Sequence, residues 1–312
     1  MHFNTRLSRL LPVALTACVL SSVAQQAVAD TERIGADQGK LHLTAGFNDV
    51  EGAGGAGLVP LSFITGYGSS DSWGGNAHVT TVHLNDFQLT AYGVAVGALD
   101  RFELSFTRHE LEVIHGALDG LGVDQDIIGL KIKLVGDALY YQDSWLPQVA
   151  LGAQYKNNKG IKDAASVGLA GVTNPKQLGA KDDKGTDFYL SATKIFLGQS
   201  LVVDVNLRYT KANQFGLLGF GGNKDDGYSL KPEAAVAYLF TRQFAGGFEF
   251  RAKPENLSAD TEDNAWDAFV AWTPTRNISV VAAYVNLGSI LGPVTGRTED
   301  QKGAYLSFQV GF

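Results

Sequence analysis

The last ten residues, Gly303-Ala-Tyr-Leu-Ser-Phe-Gln-Val-Gly-Phe312, alternate large apolar side chains with polar or small ones as far as the end of the chain. Leu306, Phe308, Val310 and Phe312 share one parity, which places them on one face of a β-strand. A soluble protein usually buries or covers an apolar terminal strand. The stretch therefore predicts the closing strand of a transmembrane β-barrel in the bacterial outer membrane.

The composition agrees with such a barrel and excludes several other classes of protein. Charged residues make up 18% of the chain, below the roughly 25% of an average soluble domain. Glycine accounts for 37 of the 312 residues, which is well above the usual share of about 7%. No apolar run reaches the ~18 residues of a membrane-spanning helix. The formal net charge of −7 argues against nucleic acid as a partner.

Residues 1–29 have the pattern of a cleaved signal peptide. Arg6 and Arg9 precede an uncharged apolar stretch, and Ala27-Val28-Ala29 is a small-residue cleavage site. A second interpretation takes Leu15-Thr16-Ala17-Cys18 as a lipoprotein box with Cys18 lipidated. Both interpretations predict export, with residues 30–312 forming one outer-membrane barrel domain. Cleavage after Ala29 removes two arginines and no acid, so the formal net charge becomes −9.

The mature chain predicts an all-β fold, a transmembrane up-and-down antiparallel β-barrel of about 14 strands, with 12 as the alternative. Segments of about ten half-apolar residues recur along it, which is the signature of strands in such barrels. The first two predicted strands cover residues 40–47 and 58–67. Most connections alternate between short and long, as expected for periplasmic turns and outer loops. The tight turn at Asn85 and Asp86 is an exception.

Several strands separate an apolar face from a charged one. Phe102, Leu104 and Phe106, for example, alternate with Glu103 and Ser105. A charge on the lipid face at mid-membrane would cost about 2–4 kcal/mol, so the charged face must line the lumen. These charges either pair with one another or form a selectivity constriction. The predicted lumen-facing residues are Arg101, Glu103, Lys131, Lys133, Asp204, Asn206, Arg208, Glu249 and Arg251.

Two glycine-rich stretches differ from ordinary loops. Residues 212–222 carry Phe215, Leu217, Leu218 and Phe220 between two predicted strands. Such an apolar loop needs a place to hide from water, so we expect it to fold into the barrel mouth, where it either contacts an apolar ligand or packs as a lid without one. Residues 51–57 lack the phosphate-loop pattern and predict a flexible entry to the second strand.

No pattern in the sequence indicates catalysis or metal binding. Neither a G-x-S-x-G nor an H-E-x-x-H motif is present. The acidic clusters at residues 181–187 and 223–227 lack the spacing of a calcium loop and contain lysines. The sequence therefore predicts a protein that is not an enzyme and has no catalytic residue, cofactor or metal ion.

Several segments resemble those of a family of proteobacterial exported proteins to which no activity is assigned. The resemblance covers essentially the whole mature chain and implies no catalytic residue. In organisation alone, the chain is also similar to barrel proteins associated with uptake of hydrophobic and aromatic compounds. The matching segments include Gly39-Lys-Leu-His-Leu-Thr, residues 50–60, Gln125-Asp-Ile-Ile-Gly-Leu-Lys131, Trp145-Leu-Pro-Gln-Val-Ala, residues 212–222 and residues 263–274.

These observations predict a channel for passive passage of small solutes, with hydrophobic solutes suggested by the apolar loop. The alternative is a plugged structural or partner-binding barrel without transport activity, and a soluble periplasmic β protein is a third interpretation. The expected partners are outer-membrane lipid and lipopolysaccharide, with the assembly machinery binding the C-terminal strand. The sequence predicts neither the oligomeric state nor the identity of a solute.

Overall fold

The computed structural model describes residues 40–116, 118–168, 171–296 and 298–312. The predicted signal peptide, both of its processing sites and residues 30–39 lie outside this part of the chain. Within it, none of the helices is long and apolar enough to cross a membrane. The strands are β1 (Trp73–Leu84), β2 (Phe87–Ala98), β3 (Phe102–Val113), β4 (Gly122–Val135), β5 (Gln148–Lys162), β6 (Lys184–Phe196), β7 (Leu201–Thr210), β8 (Ser229–Leu239), β9 (Phe244–Arg251), β10 (Ala265–Trp272), β11 (Ile278–Asn286) and β12 (Lys302–Gly311).

The twelve strands form one closed antiparallel barrel in which each strand pairs with its neighbours in sequence. β12 closes it by pairing with β1, in a register that runs from Asn76 opposite Gly311 to Leu84 opposite Gly303. Closure leaves no free sheet edge, which is what a sheet needs in order to span lipid. The predicted fold class is confirmed. The barrel has 12 strands, which is the alternative count and not the predicted count of about 14.

The barrel exterior is apolar and the interior polar, the reverse of a soluble protein. On β3, the outward Leu104 is 58% exposed, while the inward Glu103 is 2% exposed. Exposed rings lie at both ends of this outer belt: Trp73 and Trp272 near the short turns and Tyr155 and Tyr209 towards the long loops. An apolar band between aromatic girdles is typical of an outer-membrane barrel in contact with lipid.

The connections confirm the predicted alternation. Short turns at residues 99–101, 197–200, 240–243 and 273–277 lie at one end of the barrel, together with residue 312. Most connections at the other end are long. The exceptions are the tight turn at residues 85–86 and the connection at residues 136–147, which lies at the short-turn end. The short-turn end is the periplasmic end in the usual orientation of such barrels.

The two predicted strands at residues 40–47 and 58–67 are wrong. Only one helical turn, His42–Ala45, is formed there, and residues 44–67 run through the lumen as a buried segment, here called the plug. The plug rises from the periplasmic end and returns to it, where the backbone N–H of Tyr67 donates to the carbonyl of Phe312 over 2.9 Å. The barrel encloses the plug on all sides, so both its apolar and its polar residues are buried. Its half-apolar sequence therefore resembles that of a strand although no strand forms.

Candidate functional site: a plugged lumen beneath an apolar chamber

Side chains of the barrel wall bind the backbone of the plug. On β12, Gln309 accepts from the Asn48 N–H over 2.7 Å and donates to the Asn48 carbonyl over 2.9 Å. On β9, Glu249 accepts from the backbone N–H groups of Gly57 and Leu58 over 2.8 and 2.7 Å. Buried backbone groups must find partners. For the plug, side chains of the wall provide the hydrogen-bond partners that a neighbouring strand provides in a β-sheet.

The pair formed by Glu103 and Lys131 clamps two parts of the plug together. Glu103 accepts from the N–H groups of Gly54 and Thr65 over 2.9 and 2.8 Å. Lys131 donates from Nζ to the carbonyls of Gly54 and Phe63 over 2.8 and 2.9 Å. The two charged groups lie 3.2 Å apart and are buried. Charge-assisted bonds of this kind are about twice as strong as neutral ones.

The glycines of residues 51–57 allow the wall to approach the plug backbone. A Cβ atom on Gly54 would lie 2.9 Å from a carboxylate oxygen of Glu103, and one on Gly57 would lie 2.7 Å from a carboxylate oxygen of Asp267. Any larger residue would push these groups apart. The prediction of a flexible entry to a strand is therefore wrong, because this run is packed and buried.

One plug carboxylate, that of Glu51, is surrounded by three cations of the wall. It forms ion pairs with Lys156 on β5 and with Arg251 on β9, the latter over 2.8 Å. Arg208 on β7 lies 3.7 Å from the same carboxylate. All four side chains are almost completely buried. A charge this deep is tolerated only when it is paired, so Glu51 and the cationic wall require each other.

Two further carboxylates balance the remaining positive charge. Asp187 on β6 lies 2.7 Å from the ammonium of Lys156. Glu233 on β8 pairs with Arg208 and lies 3.1 Å from Arg251. Three anions therefore face three cations across β5 to β9, and the plug supplies one of the anions. Arg251 also stacks on the ring of Phe215 at 4.3 Å from its centroid, which joins this network to the loop above.

A cavity with apolar walls, here called the chamber, lies above the plug. Val82 of β1, Leu89 of β2 and Leu111 of β3 line its side, and Val50 and Leu58 of the plug form its floor. The apolar side chains on the upper parts of these strands point inward, opposite to the parity in the membrane belt below. This change of parity was not predicted from the sequence.

The loop at residues 212–222 forms the roof of the chamber. Phe215, Leu217 and Leu218 are 2–8% exposed and line the chamber, as do Leu287 and Ile290 of the last long loop. The apolar loop therefore folds into the barrel mouth. Phe220, the fourth residue singled out from the sequence, is fully buried elsewhere: its ring packs against Gly185, and its backbone is bonded to Asp182.

A buried polar cluster, here called the latch, holds the roof to the neighbouring loop. The Gln214 backbone N–H donates to Glu262 over 2.7 Å, and its amide donates to Asp260 over 2.9 Å. Lys253 donates to the Gln214 amide oxygen over 2.8 Å. Burial raises the pKa of Glu262 to about 8, with Asp260 adding to the rise and Lys253 opposing it. Burial also raises the pKa of Asp260 and lowers that of Lys253.

We expect the latch to weaken as pH rises. The pKa of Glu262 is about 8 in the folded loop, whereas its ordinary value is 4.5. The protonated carboxyl group therefore stabilises the folded loop fully below pH 4.5, and this stabilisation is lost as the pH rises through about 8. Amide exchange in residues 212–222, corrected for the intrinsic rate, should lose up to about tenfold protection per pH unit across this window. Glu262→Gln should flatten this slope. Glu255→Gln, which alters an exposed pair with Lys224, should keep it, and an unchanged slope in Glu262→Gln would contradict the assignment.

The structure places most of the predicted lumen residues on the inner wall. Arg101 is not there: it lies exposed in the turn before β3, because the strand begins one residue later than expected. Lys133 lies partly exposed at the periplasmic rim, where it pairs with Asp100. The seven that are buried on the inner wall are Glu103, Lys131, Asp204, Asn206, Arg208, Glu249 and Arg251.

The closing strand places its predicted residues at the outer surface and the barrel rim. Leu306 and Phe308 are 51% and 46% exposed towards lipid, whereas Val310 is buried. The ring of Phe312 packs edge-on against Trp73, with 5.7 Å between centroids. Its carbonyl also accepts from Gly75 of β1. The end of the chain thus joins the first strand, the last strand and the plug.

Sequence reasoning missed Glu51, Lys156, Asp187 and Glu233 as parts of the ion network. A carboxylate inside an apolar, glycine-rich run is one signal that could have identified Glu51, because burial without a partner is costly. The acidic clusters bind lysine: Lys211 lies 3.2 Å from Asp182 and 3.0 Å from Asp226. Among the residues that the structure describes, no group of three or more His, Cys, Asp or Glu side chains could hold a metal ion.

The chain matches several solved structures of outer-membrane proteins at low sequence identity. A structure described as the KdgM porin matches at 8% identity and a TM-score of 0.46, covering 76% of this chain and 99% of its own. Acinetobacter baumannii outer membrane protein Omp33 matches at 9% identity and 0.40, covering 77% and 98%. Outer membrane phospholipase A from Escherichia coli matches at 8% and 0.39, covering 79% and 94%.

Comparison at the level of sequence identifies the family. No curated protein matches the chain. A family model described as "Protein of unknown function (DUF3034)" matches residues 44–309, which takes in the whole plug and all of the barrel except the last two residues of β12. The chain therefore belongs to the DUF3034 family.

Proposed function

We propose that this outer-membrane barrel is a channel for small, predominantly apolar solutes, closed at rest by its own plug. The observation that carries the proposal is that the wall is complete without the plug. All twelve strands pair with one another around the barrel, and wall side chains bind the plug backbone at Asn48, Gly54, Gly57 and Leu58. Movement of the plug would break these contacts and leave every strand ladder intact.

The wall exposed by such a movement suits a water-filled lumen. It carries Glu103, Lys131, Arg208, Glu233 and Arg251, which water could solvate when their plug partners leave. An apolar wall would instead favour collapse onto the plug or loss of water from the lumen. The preference for apolar solutes rests on the chamber, which lies on the path between the outer mouth and the plug.

A second candidate is a permanently plugged barrel with a structural or partner-binding role. The ion network favours it, since withdrawing Glu51 would leave Lys156, Arg208 and Arg251 short of one negative charge. Breaking a buried ion pair typically costs about 3–5 kcal/mol. Opening also breaks the hydrogen bonds between wall and plug, which water can replace in an open lumen. The closed state is therefore strongly favoured, and the open state is populated for a small fraction of the time.

Single-channel recording in planar bilayers separates the two candidates. For the purified, folded barrel we expect brief conductance steps from a closed baseline, as the plug leaves and returns. Folding is checked independently by a change of gel mobility on heating. A folded barrel that never conducts, and that admits no small apolar dye across a lipopolysaccharide-containing membrane, would support the structural role and contradict the channel.

A further inference from the structure

The chamber is a small apolar compartment inside a barrel whose lower interior is polar. Leu58 forms part of its floor, Leu111 part of its side and Leu218 part of its roof. These three residues come from the plug, the wall and an outer loop, and each is 8% exposed or less. Although His109 and Gln214 border the chamber, the surface that it presents is apolar. Water in such a space would lack hydrogen-bond partners, so a cavity of this kind stays dry or takes an apolar guest.

The chamber lies beyond the lipid belt, on the outer side of the membrane. On β3 the outward residues are apolar at Phe102, Leu104 and Phe106, and then change to charged residues at Arg108 and Glu110. Arg108 pairs with Asp126 of β4 over 2.6 Å, and Tyr92 of β2 donates to Glu110 over 2.8 Å. Charged pairs on the outer surface mark wall that no longer faces lipid. Leu111 lies beyond Arg108 and Glu110 on the same strand. The outer surface of the barrel is therefore polar next to the part of the chamber that Leu111 lines.

The roof adopts a conformation that its own sequence does not favour. Gln214 and Phe215 both have left-handed backbone angles, with φ of 44° and 60°. Non-glycine residues in this region cost free energy and persist where their surroundings hold them. Here Lys253, Asp260 and Glu262 bind Gln214. The wall also holds the roof, since Gln125 and Asn158 donate to the carbonyls of Phe215 and Leu217 over 3.3 and 2.7 Å. Release of these bonds together with the latch would open the chamber towards the outer medium.

We propose that the chamber is a binding site for a small apolar molecule, such as a hydrocarbon of two or three carbon atoms, taken up from the outer medium. The chamber has a cavity volume of about 30 Å³, whereas one water molecule needs about 10–15 Å³. A guest of two or three water volumes therefore fits while the roof stays closed. Binding of the guest does not depend on the channel function proposed above. Its identity as the solute of the channel does rest on that function.

Binding of fluoroethane to the mature protein in nanodiscs tests the site, with the ¹⁹F signal reporting the bound fraction. We expect saturable binding by the wild type. Leu111→Phe, which fills the chamber, should weaken binding at least tenfold. Leu104→Phe makes the same change on the lipid face of the same strand and should leave binding unchanged. 2-Fluoroethanol should bind at least tenfold more weakly than fluoroethane, because the chamber presents an apolar surface to its hydroxyl group.

Two outcomes would overturn the proposal. One is a signal that never saturates, which indicates partition into lipid only. The other is equal binding by the wild type and the filled chamber. If Leu111→Phe fails to fold, Leu89→Phe fills the chamber from the adjacent strand and gives the same decision. Saturable binding without conductance would contradict the channel function and support the binding site. Conductance without binding would support the channel function and contradict the binding site.

Discussion

Deletion of residues 44–65 should convert the closed barrel into a pore that conducts without interruption. These residues fill the lumen beneath the chamber, and the twelve-strand wall does not need them for its ladder. Tyr67 is kept, because its N–H binds the carbonyl of Phe312 at the base of β1. Once the plug is gone, water can solvate Glu103, Lys131 and Glu249, so the wall remains folded and its lumen hydrated.

Planar-bilayer conductance measures this effect against the wild-type baseline. We expect a steady open level in place of brief openings, with heat-modifiable gel mobility unchanged. The control is Gln142→Ala, a substitution in the exposed periplasmic connection. This variant controls for effects of purification and should have the conductance of the wild type. A folded deletion variant that stays silent would show that the plug is not the barrier and would assign closure to the roof.

Glu51→Gln should open the barrel more often without removing any part of it. The substitution keeps the shape of the side chain and removes the charge that Lys156, Arg208 and Arg251 share. All of these groups are buried, so the loss is that of a broken buried ion pair, about 3–5 kcal/mol. Since ~1.4 kcal/mol is a factor of ten, the ratio of open to closed barrel should rise by about two to nearly four orders of magnitude.

The matched control is Glu255→Gln, which neutralises a carboxylate paired with Lys224 at the outer surface. An exposed pair is worth about 0–1 kcal/mol, and this one has no contact with the plug in the structure described. Its open probability should equal that of the wild type. If Glu51→Gln opens no more often than this control, the ion network does not hold the plug in place.

Much of the barrel was predictable because lipid acts on each strand separately. Leu104, Phe106 and Phe308 face the same apolar solvent, so each strand carries the alternation within its own ten or so residues. The fold class and the order of short and long connections followed from this local signal. The error of two strands arose at residues 40–67, which are enclosed by protein on all sides. There, apolar and polar residues alike are buried, and a period of two no longer identifies a strand.

The candidate site was predictable only in its parts. The sequence singled out Arg208, Arg251 and Phe215 without joining them, and it assigned Arg101 to the lumen although a turn exposes it. It did not indicate that Arg251 touches both Glu51 and the Phe215 ring. It also did not indicate the chamber, since the inward apolar residues of β1 to β3 read as ordinary strand positions.

Formation of a membrane barrel was predictable from the residues of each strand, because contact with lipid requires the same apolar outer face of every strand. The content of the lumen, in contrast, depends on contacts between residues that are far apart in the chain. Glu51 lies 105 positions from Lys156 and 200 positions from Arg251 in the chain. Their attraction depends on closure of the whole sheet around the plug, and no local pattern of residues carries that information.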